Sequence, residues 1–513
     1  MMEILGHLGD GVWASIQPIN LMLIVVGVTL GLFIGAMPGL GSVNGVAILL
    51  PITFLVPPAS AIIFLAAIYY GAMYGGAISS ITLGIPGAST AVATTFDGRP
   101  LAMQGRASLA LVVAAIASFI GGTVANLLFT GFAPVLASVA LSFGPPEIFA
   151  LMLLAFATFV GLGGDDVPKT IFSICIGLVL ASVGFDEISG EPRLIFGGIS
   201  GFLHGINFLV LAIGVYGIGE MLWTIDSTRG KITTTEAKMT VKGGVADAKE
   251  GMRRGWKGTT IGSFLGFFVG ILPAAGATPG SLMSYGVTKL LSKNPQEFGR
   301  GHPGGVAAPE AANNSASTGA MLPMLTLGIP GSPTTAILLG GMVIWGLTPG
   351  PRLFVDQPDF VWGLIGSFYV SNLFALIVNL AFIPLFIWML RMPFTILASI
   401  IFVLSVVGGF AATNDMHDVW LMLLFGFAAF MLRKLDYPLA PAVLAIVLGP
   451  IAEPTLRQSL LLASGDPMIF FNRPIAGPIT VIALILILLP LFKVVWDRVR
   501  GTGGEKEEVK PVS

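Results

Sequence analysis

Apolar runs long enough to cross a bilayer recur throughout this chain, for example at 19–36, 107–130 and 475–491. No water in hydrocarbon can satisfy backbone N–H and C=O groups, so a span must satisfy them itself, as a helix or as part of a closed barrel. Barrel strands alternate apolar and polar residues over about ten positions. These runs are apolar on every side and reach roughly the 20 residues that a helix needs to cross about 30 Å of hydrocarbon. Of 513 residues, 55% are hydrophobic and only 10% are charged, too few to coat a soluble fold of this size. The expected fold class is an all-α polytopic membrane protein in a lipid bilayer, with about 10–14 transmembrane helices. Further candidate spans fall at 147–162, 170–183, 202–222, 360–390, 394–410, 419–432 and 438–451.

Several function classes are set aside on composition and spacing. Twenty-six basic residues balance 27 acidic ones without forming the basic patch that nucleic acid requires. Cys175 stands alone and the four histidines, at 7, 204, 302 and 417, are scattered, so no metal site is expected. GGDDVPKT at 163–170 approaches a phosphate-binding loop, but Pro168 stands where glycine is needed and has no amide to offer phosphate. No ATPase and no organic cofactor are expected, so any driving force must come from an ion gradient. The N-terminus carries Glu3 and Asp10 rather than a basic leader, so 19–36 reads as a retained span.

Hydrophobicity stops between 223 and 257, where seven basic residues from Arg229 to Arg254 outnumber the acidic ones. This linker separates a first half (1–222) from a second (258–500), followed by a charged tail (501–513) expected to be disordered. So basic a short loop is expected in the cytoplasm. No Lys or Arg occurs before Arg99, which puts the N-terminus outside and requires an odd number of crossings in the first half.

The two halves repeat one another. LGLFIGAMP at 30–38 matches LGFFVGILP at 265–273, and ITLGIPG at 81–87 matches LTLGIPG at 325–331, in the same order. One half enters from outside and the other from the linker, so the repeats should be inverted, the plan of many secondary transporters.

Glycine and proline at such density within membrane spans leave backbone groups unpaired, which is tolerated only inside protein or along a wet cavity. The chain is therefore expected to break and restart as half-helices at Pro38, Gly39, Gly41 and Ser42; at Gly84, Pro86, Gly87, Ser89 and Thr90; at Pro273, Gly276 and Thr278; and at Gly328, Pro330, Gly331, Ser332 and Thr334. Thr278 before Pro279 has the form of an N-cap and N1 pair, and Ser42 is its first-half candidate. Helix N-termini expose amides and partial positive charge, so these breaks can hold a carboxylate without Lys or Arg, and none lies in them. Hydroxyls of Ser79, Ser80, Thr82, Thr326 and Thr335 are candidate ligands for a coupling Na+; Glu310 reads either as a coupling carboxylate for Na+ or H+ or as a simple loop residue. Asn313 and Asn314 follow Glu310 and are candidate lining residues. Asp97, Glu147, Glu220 and Glu453 read as loop or interface residues. A packing role for the small residues is the alternative to binding. A membrane-embedded enzyme would need a nucleophile with its base, or a carboxylate dyad, which these motifs do not offer.

GAMPGLG (35–41), LLPITF (49–54), IYYGAMYGG (68–76), ITLGIPG, DGRPLAMQG (97–105) and the second-half counterparts together resemble the TctA family, the large integral-membrane subunit of bacterial tripartite tricarboxylate transporters. The resemblance covers nearly the whole chain. It implies a multi-pass inner-membrane secondary carrier that works with a small four-helix membrane subunit and a periplasmic solute-binding protein. It also implies import of citrate or other carboxylates with Na+ or H+. A carrier for a different anionic solute is the alternative.

Overall fold

A computed structural model describes residues 2–37, 40–162, 166–186, 190–196, 200–203, 205–227, 241–273, 275–389 and 394–499. Pro38, Gly39, residues 163–165, His204, linker residues 228–240 and the tail 501–513 lie outside the described residues.

The first half comprises α1 (Met2–Ser15), α2 (Pro18–Ala36), α3 (Gly41–Leu49), α4 (Pro58–Thr82), α5 (Val92–Met103), α6 (Ala107–Ala140), α7 (Pro145–Leu162) and α8 (Val167–Ala181). A small antiparallel hairpin, β1 (Gly184–Phe185) and β2 (Pro192–Arg193), follows. Then α9 (Phe208–Ala212) runs through a π-helical segment, Ile213–Gly219, into α10 (Glu220–Ser227). The second half comprises α11 (Val241–Ile271), α12 (Ala277–Leu290), α13 (Pro303–Leu327), α14 (Pro333–Ile344), α15 (Leu353–Asp356), α16 (Pro358–Met389), α17 (Phe394–Thr413), α18 (Met416–Lys434), α19 (Leu439–Leu462), α20 (Ile469–Asn472) and α21 (Ala476–Val499). α11 thus begins inside the stretch that composition assigns to the linker. Proline opens α2, α4, α8, α13 and α14, where its missing N–H costs nothing.

Six described helices, α2, α4, α6, α16, α18 and α19, are long and apolar enough to cross a membrane. α21 and α18 turn Leu488, Leu489, Leu424 and Phe427 outward, as a lipid-facing surface does. α13 carries the polar run EAANNSAST, which lipid would reject, but every residue from Pro303 to Thr326 is buried in protein.

The repeat is visible in how the helices pack. Gly27, Gly31 and Gly35 of α2 rest on the carbonyls of Phe64, Ile68 and Ala72 of α4. Gly262, Gly266 and Gly270 of α11 rest on the carbonyls of Ala308, Ala312 and Ala316 of α13 in the same rising register. Each ladder leaves no room for a side chain, so the two backbones of each pair touch and run parallel. The halves meet with opposite polarity. Tyr70 of α4 bonds Thr318 of α13, and further along α4 the carbonyl of Met73 accepts from Nδ2 of Asn313, which lies earlier in α13. α4 and α13 are therefore antiparallel, and the repeats are inverted.

This central seam is polar. The hydroxyls of Tyr70 and Tyr74 donate to Oδ1 of Asn126 on α6 and of Asn372 on α16, at 2.7 and 2.6 Å. Glu310 is fully buried there and accepts from the hydroxyls of Thr94 and Ser118. On the face toward the linker, Arg106 pairs with Glu250 at 2.6 Å, and its hydrogen bond and charge hold that carboxyl below its ordinary range. Asp97 is also fully buried, against expectation for a loop residue. Its Oδ1 accepts from the amides of Gly299, Gly301 and His302 and its Oδ2 from the Tyr285 hydroxyl. A turn that must present three amides to one point needs an anion at that point. His302 then caps α13 through its ring nitrogen, which accepts from Gly304 N–H at 3.0 Å; burial, with Arg254 nearby, lowers its pKa. Glu147, in the first turn of α7, is likewise buried, paired with Arg473.

Candidate functional site

Each ladder helix ends in a break, and the matching glycines of the two repeats share a positive φ. Gly41 and Gly276 stand at φ +59° and +66°, and Gly84 and Gly328 at +72° and +71°. These are left-handed values that glycine alone adopts without strain. After α4 the chain doubles back, bringing Gly87 beside Gly76, Ser79 and the carbonyl of Gly35. After α13 it does the same, and Gly331 N–H donates to Ala320 O. α5 and α14 then restart from partway along the helices they follow.

The four breaks join end to end. Gly41 packs on Ala88 within the first repeat. Oγ of Ser89 lies 3.0 Å from Oγ1 of Thr278, crossing to the second repeat. Gly276 N–H donates to Gly331 O at 2.9 Å, and Oγ of Ser42 lies 2.9 Å from Oγ1 of Thr334, crossing back. The result is a closed ring, tied on one side by Tyr69, whose hydroxyl bonds Ser332. Ser332 caps α14 in a reciprocal capping box with Thr335.

A cavity of about 830 Å³ opens on this ring and is lined by Gly41, Ser42, Pro86, Gly87, Ser89, Thr90, Gly276, Thr278, Ser332 and Thr334. Half-helices α3, α12 and α14 start at its wall. Their first-turn amides have no intrahelical acceptor, and the aligned peptide dipoles add partial positive charge. A second cavity, about 630 Å³, lies between α8, α14, α19 and the hairpin. It has no helix break in its lining and includes the ion pairs of Arg193 with Glu453.

Two expected caps are corrected. α12 starts before Thr278, at Ala277, because Gly276 has a conformation that lets the helix begin there. α3 likewise begins before Ser42 and has no side-chain cap. Both hydroxyls are thereby released to tie the repeats together. Other sequence candidates lie away from the cavity lining. Pro273 ends α11, and Gly328 and Pro330 form the turn behind Gly331. Asn313 and Asn314 sit in the seam, with Nδ2 donating to the carbonyls of Met73 and Glu310 and Oδ1 buried without a partner among the described residues. Ser80, Thr82 and Thr326 donate to carbonyls one turn back, at Gly76, Ile78 and Leu322, and Ser79 makes a longer bond to Gly76 O.

The sequence motifs missed three residues on the cavity wall: Tyr216, Glu220 and Arg433. Arg433 brings a cation to a site expected to have none, and it is ion-paired with Glu220. A usable signal existed, since Glu220 is the one acidic residue in the apolar run 202–222 and an ionisable group at such a place is a functional candidate.

A sequence model of the tripartite tricarboxylate transporter TctA family matches residues 21–444, a range that holds all four breaks and the whole cavity wall. The chain belongs to the TctA family. A 52.8 kDa protein from the TAR-I ttuC' 3' region of Agrobacterium vitis is 38% identical over 502 residues, 97% of this chain and 99% of the relative. A protein from the TAR-II ttuC' 3' region of the same organism is 38% identical over 226 residues, 44% of this chain and 93% of its own length. No solved structure matches the chain. As a TctA-family member it is a multi-pass membrane protein and a subunit of a tripartite transport system.

Proposed function

We propose that this subunit carries carboxylates, citrate among them, across the bacterial inner membrane by alternating access. The observation that carries the proposal is the ring: the breaks of both inverted repeats meet at one cavity, where backbone amides and hydroxyls can receive an anion. The anion arrives from a soluble periplasmic binding protein, and a small four-helix membrane subunit completes the assembly. The linker faces the cytoplasm, in keeping with Arg106, Arg253, Arg254 and Lys257 beside it. Entry is coupled to Na+ or H+ at the seam, where Glu310 has only hydroxyl donors and the neighbouring Asn313 and Asn314 keep an oxygen in reserve.

The test is uptake of labelled citrate and other carboxylates into proteoliposomes, with the binding protein and four-helix subunit present, under an imposed Na+ or H+ gradient. Uptake that needs the gradient and the binding protein is expected. Failure to move any organic anion under either gradient would sink the reading. Uptake of a non-carboxylate anion alone would favour the alternative, a carrier for a different anionic solute.

A further inference from the structure

Away from the ring, the wall of the same cavity bears a group of polar side chains that no motif marks. Arg433 leaves the last turn of α18, and its guanidinium lies over the Trp223 ring, 4.7 Å from the centroid. Its partner Glu220 is buried, yet only Oε2 is engaged; Oε1 is buried with no hydrogen-bond partner among the described residues. Four positions earlier, the Tyr216 hydroxyl is buried and also without a partner among the described residues. Tyr216 sits in the π-helical segment Ile213–Gly219, a local geometry that interrupts α-helices mostly where a functional side chain must be re-aimed. Leaving a buried phenol and a carboxylate oxygen unpaired costs free energy. An ion pair with one member buried and the other half-buried is itself a weak source of stability. The group is poorly explained as scaffolding.

We propose that Tyr216, Glu220 and Arg433 form a second anion pole, at which Glu220 occupies Arg433 until a carboxylate of the arriving anion replaces it. This rests on the carboxylate-carrier reading above. The guanidinium fork matches a carboxylate in two parallel hydrogen bonds, and stacking on Trp223 holds its plane ready. Tyr216 donates its free O–H to the same ligand carboxylate. Glu220 therefore acts as an internal competitor, so only an anion that reaches both the ring and Arg433 gains enough to displace it. No covalent bond changes in this exchange.

The sign of the mutational effects separates this role from a structural one. Binding of labelled citrate and other labelled carboxylates to the purified full-length protein is measured by equilibrium dialysis, with monodisperse elution as the check on folding. Arg433→Gln should weaken binding by roughly 10- to 100-fold, the range of a charged hydrogen bond, and Arg433→Lys should restore part of it. Tyr216→Phe should weaken it by about 2- to 10-fold. Glu220→Gln should strengthen it, because the competitor is gone. If the wild type binds a carboxylate but Glu220→Gln and Arg433→Gln both weaken binding, or neither changes it, the second pole is overturned and the carrier reading stands. If the wild type binds no organic anion, the carrier reading falls and the proposal with it. Should Arg433→Gln fail to elute as a single species, the direction of the Glu220→Gln effect decides alone.

Discussion

Gly276 and Gly331 share a hydrogen bond across two breaks, yet glycine is needed at each for a different reason. Gly276 stands at φ 66° and ψ −169°, a region essentially closed to other residues, while the nearest atom to an added Cβ would be Cβ of Ser332 at 3.6 Å. Gly331 has ordinary space in φ but none around it, since a Cβ would lie 2.6 Å from Cα of Ala320. Gly276→Ala should therefore cost about 1–3 kcal/mol through conformation alone, and Gly331→Ala a similar amount through overpacking, both read as loss of thermal stability in detergent. Gly331→Val, with a larger side chain at the same contact, should also lower the yield of folded protein. The need for glycine at these positions was legible from the chain. The reasons were not, because they depend on how far the chain doubles back along α13. Ser42 and Thr278 illustrate the same limit. Both have the chemistry of N-caps, but a positive φ one or two residues earlier starts the helix sooner and frees them.

Among the elements, α13 shows why some of the fold could be read and some could not. Its duplicated neighbours and the breaks at its end are plain in the Gly and Pro pattern, since such residues at membrane depth have few other uses. Its polar run gives no hint of where Asn313, Asn314 or Glu310 points, because an all-buried helix has no solvent face to set its rotation. The partners of Glu310 come from α5 and α6, Thr94 and Ser118, 216 and 192 residues away. Asp97 was hidden for the opposite reason: DGRP looks like a loop, and only the fold brings three amides of the segment before α13 to its carboxylate. Asp97→Ala should release that segment and cost about 3 kcal/mol or more, since several charge-assisted hydrogen bonds are lost together. The expected readout is a lowered unfolding temperature with faster proteolysis between Lys293 and Arg300. An unchanged unfolding temperature would mean that the three amides find water as readily as the carboxylate.

For the whole molecule, inversion places the two half-repeats on opposite sides of one ring, so the alternating access proposed above requires the contacts between repeats to part. Cysteines at Ser42 and Thr334, whose oxygens are 2.9 Å apart, can test this in a chain whose single native Cys175, which is exposed, is changed to Ser. Oxidation should stop uptake and reduction should restore it. Normal uptake by the cross-linked protein would show that the ring moves as one body.

The ladders and the ring make different demands on the order in which the protein is made. Gly27, Gly31 and Gly35 find α4 within a few tens of residues, so each parallel pair can assemble soon after synthesis. Ser42 must wait for Thr334, 292 residues later, which at about 5–20 residues per second of elongation is roughly 15 to 60 s. For that time Ser42 and Ser89 are without their partners in the second repeat. The ladder of the first repeat, complete within that repeat, is the packing it has until the second repeat arrives.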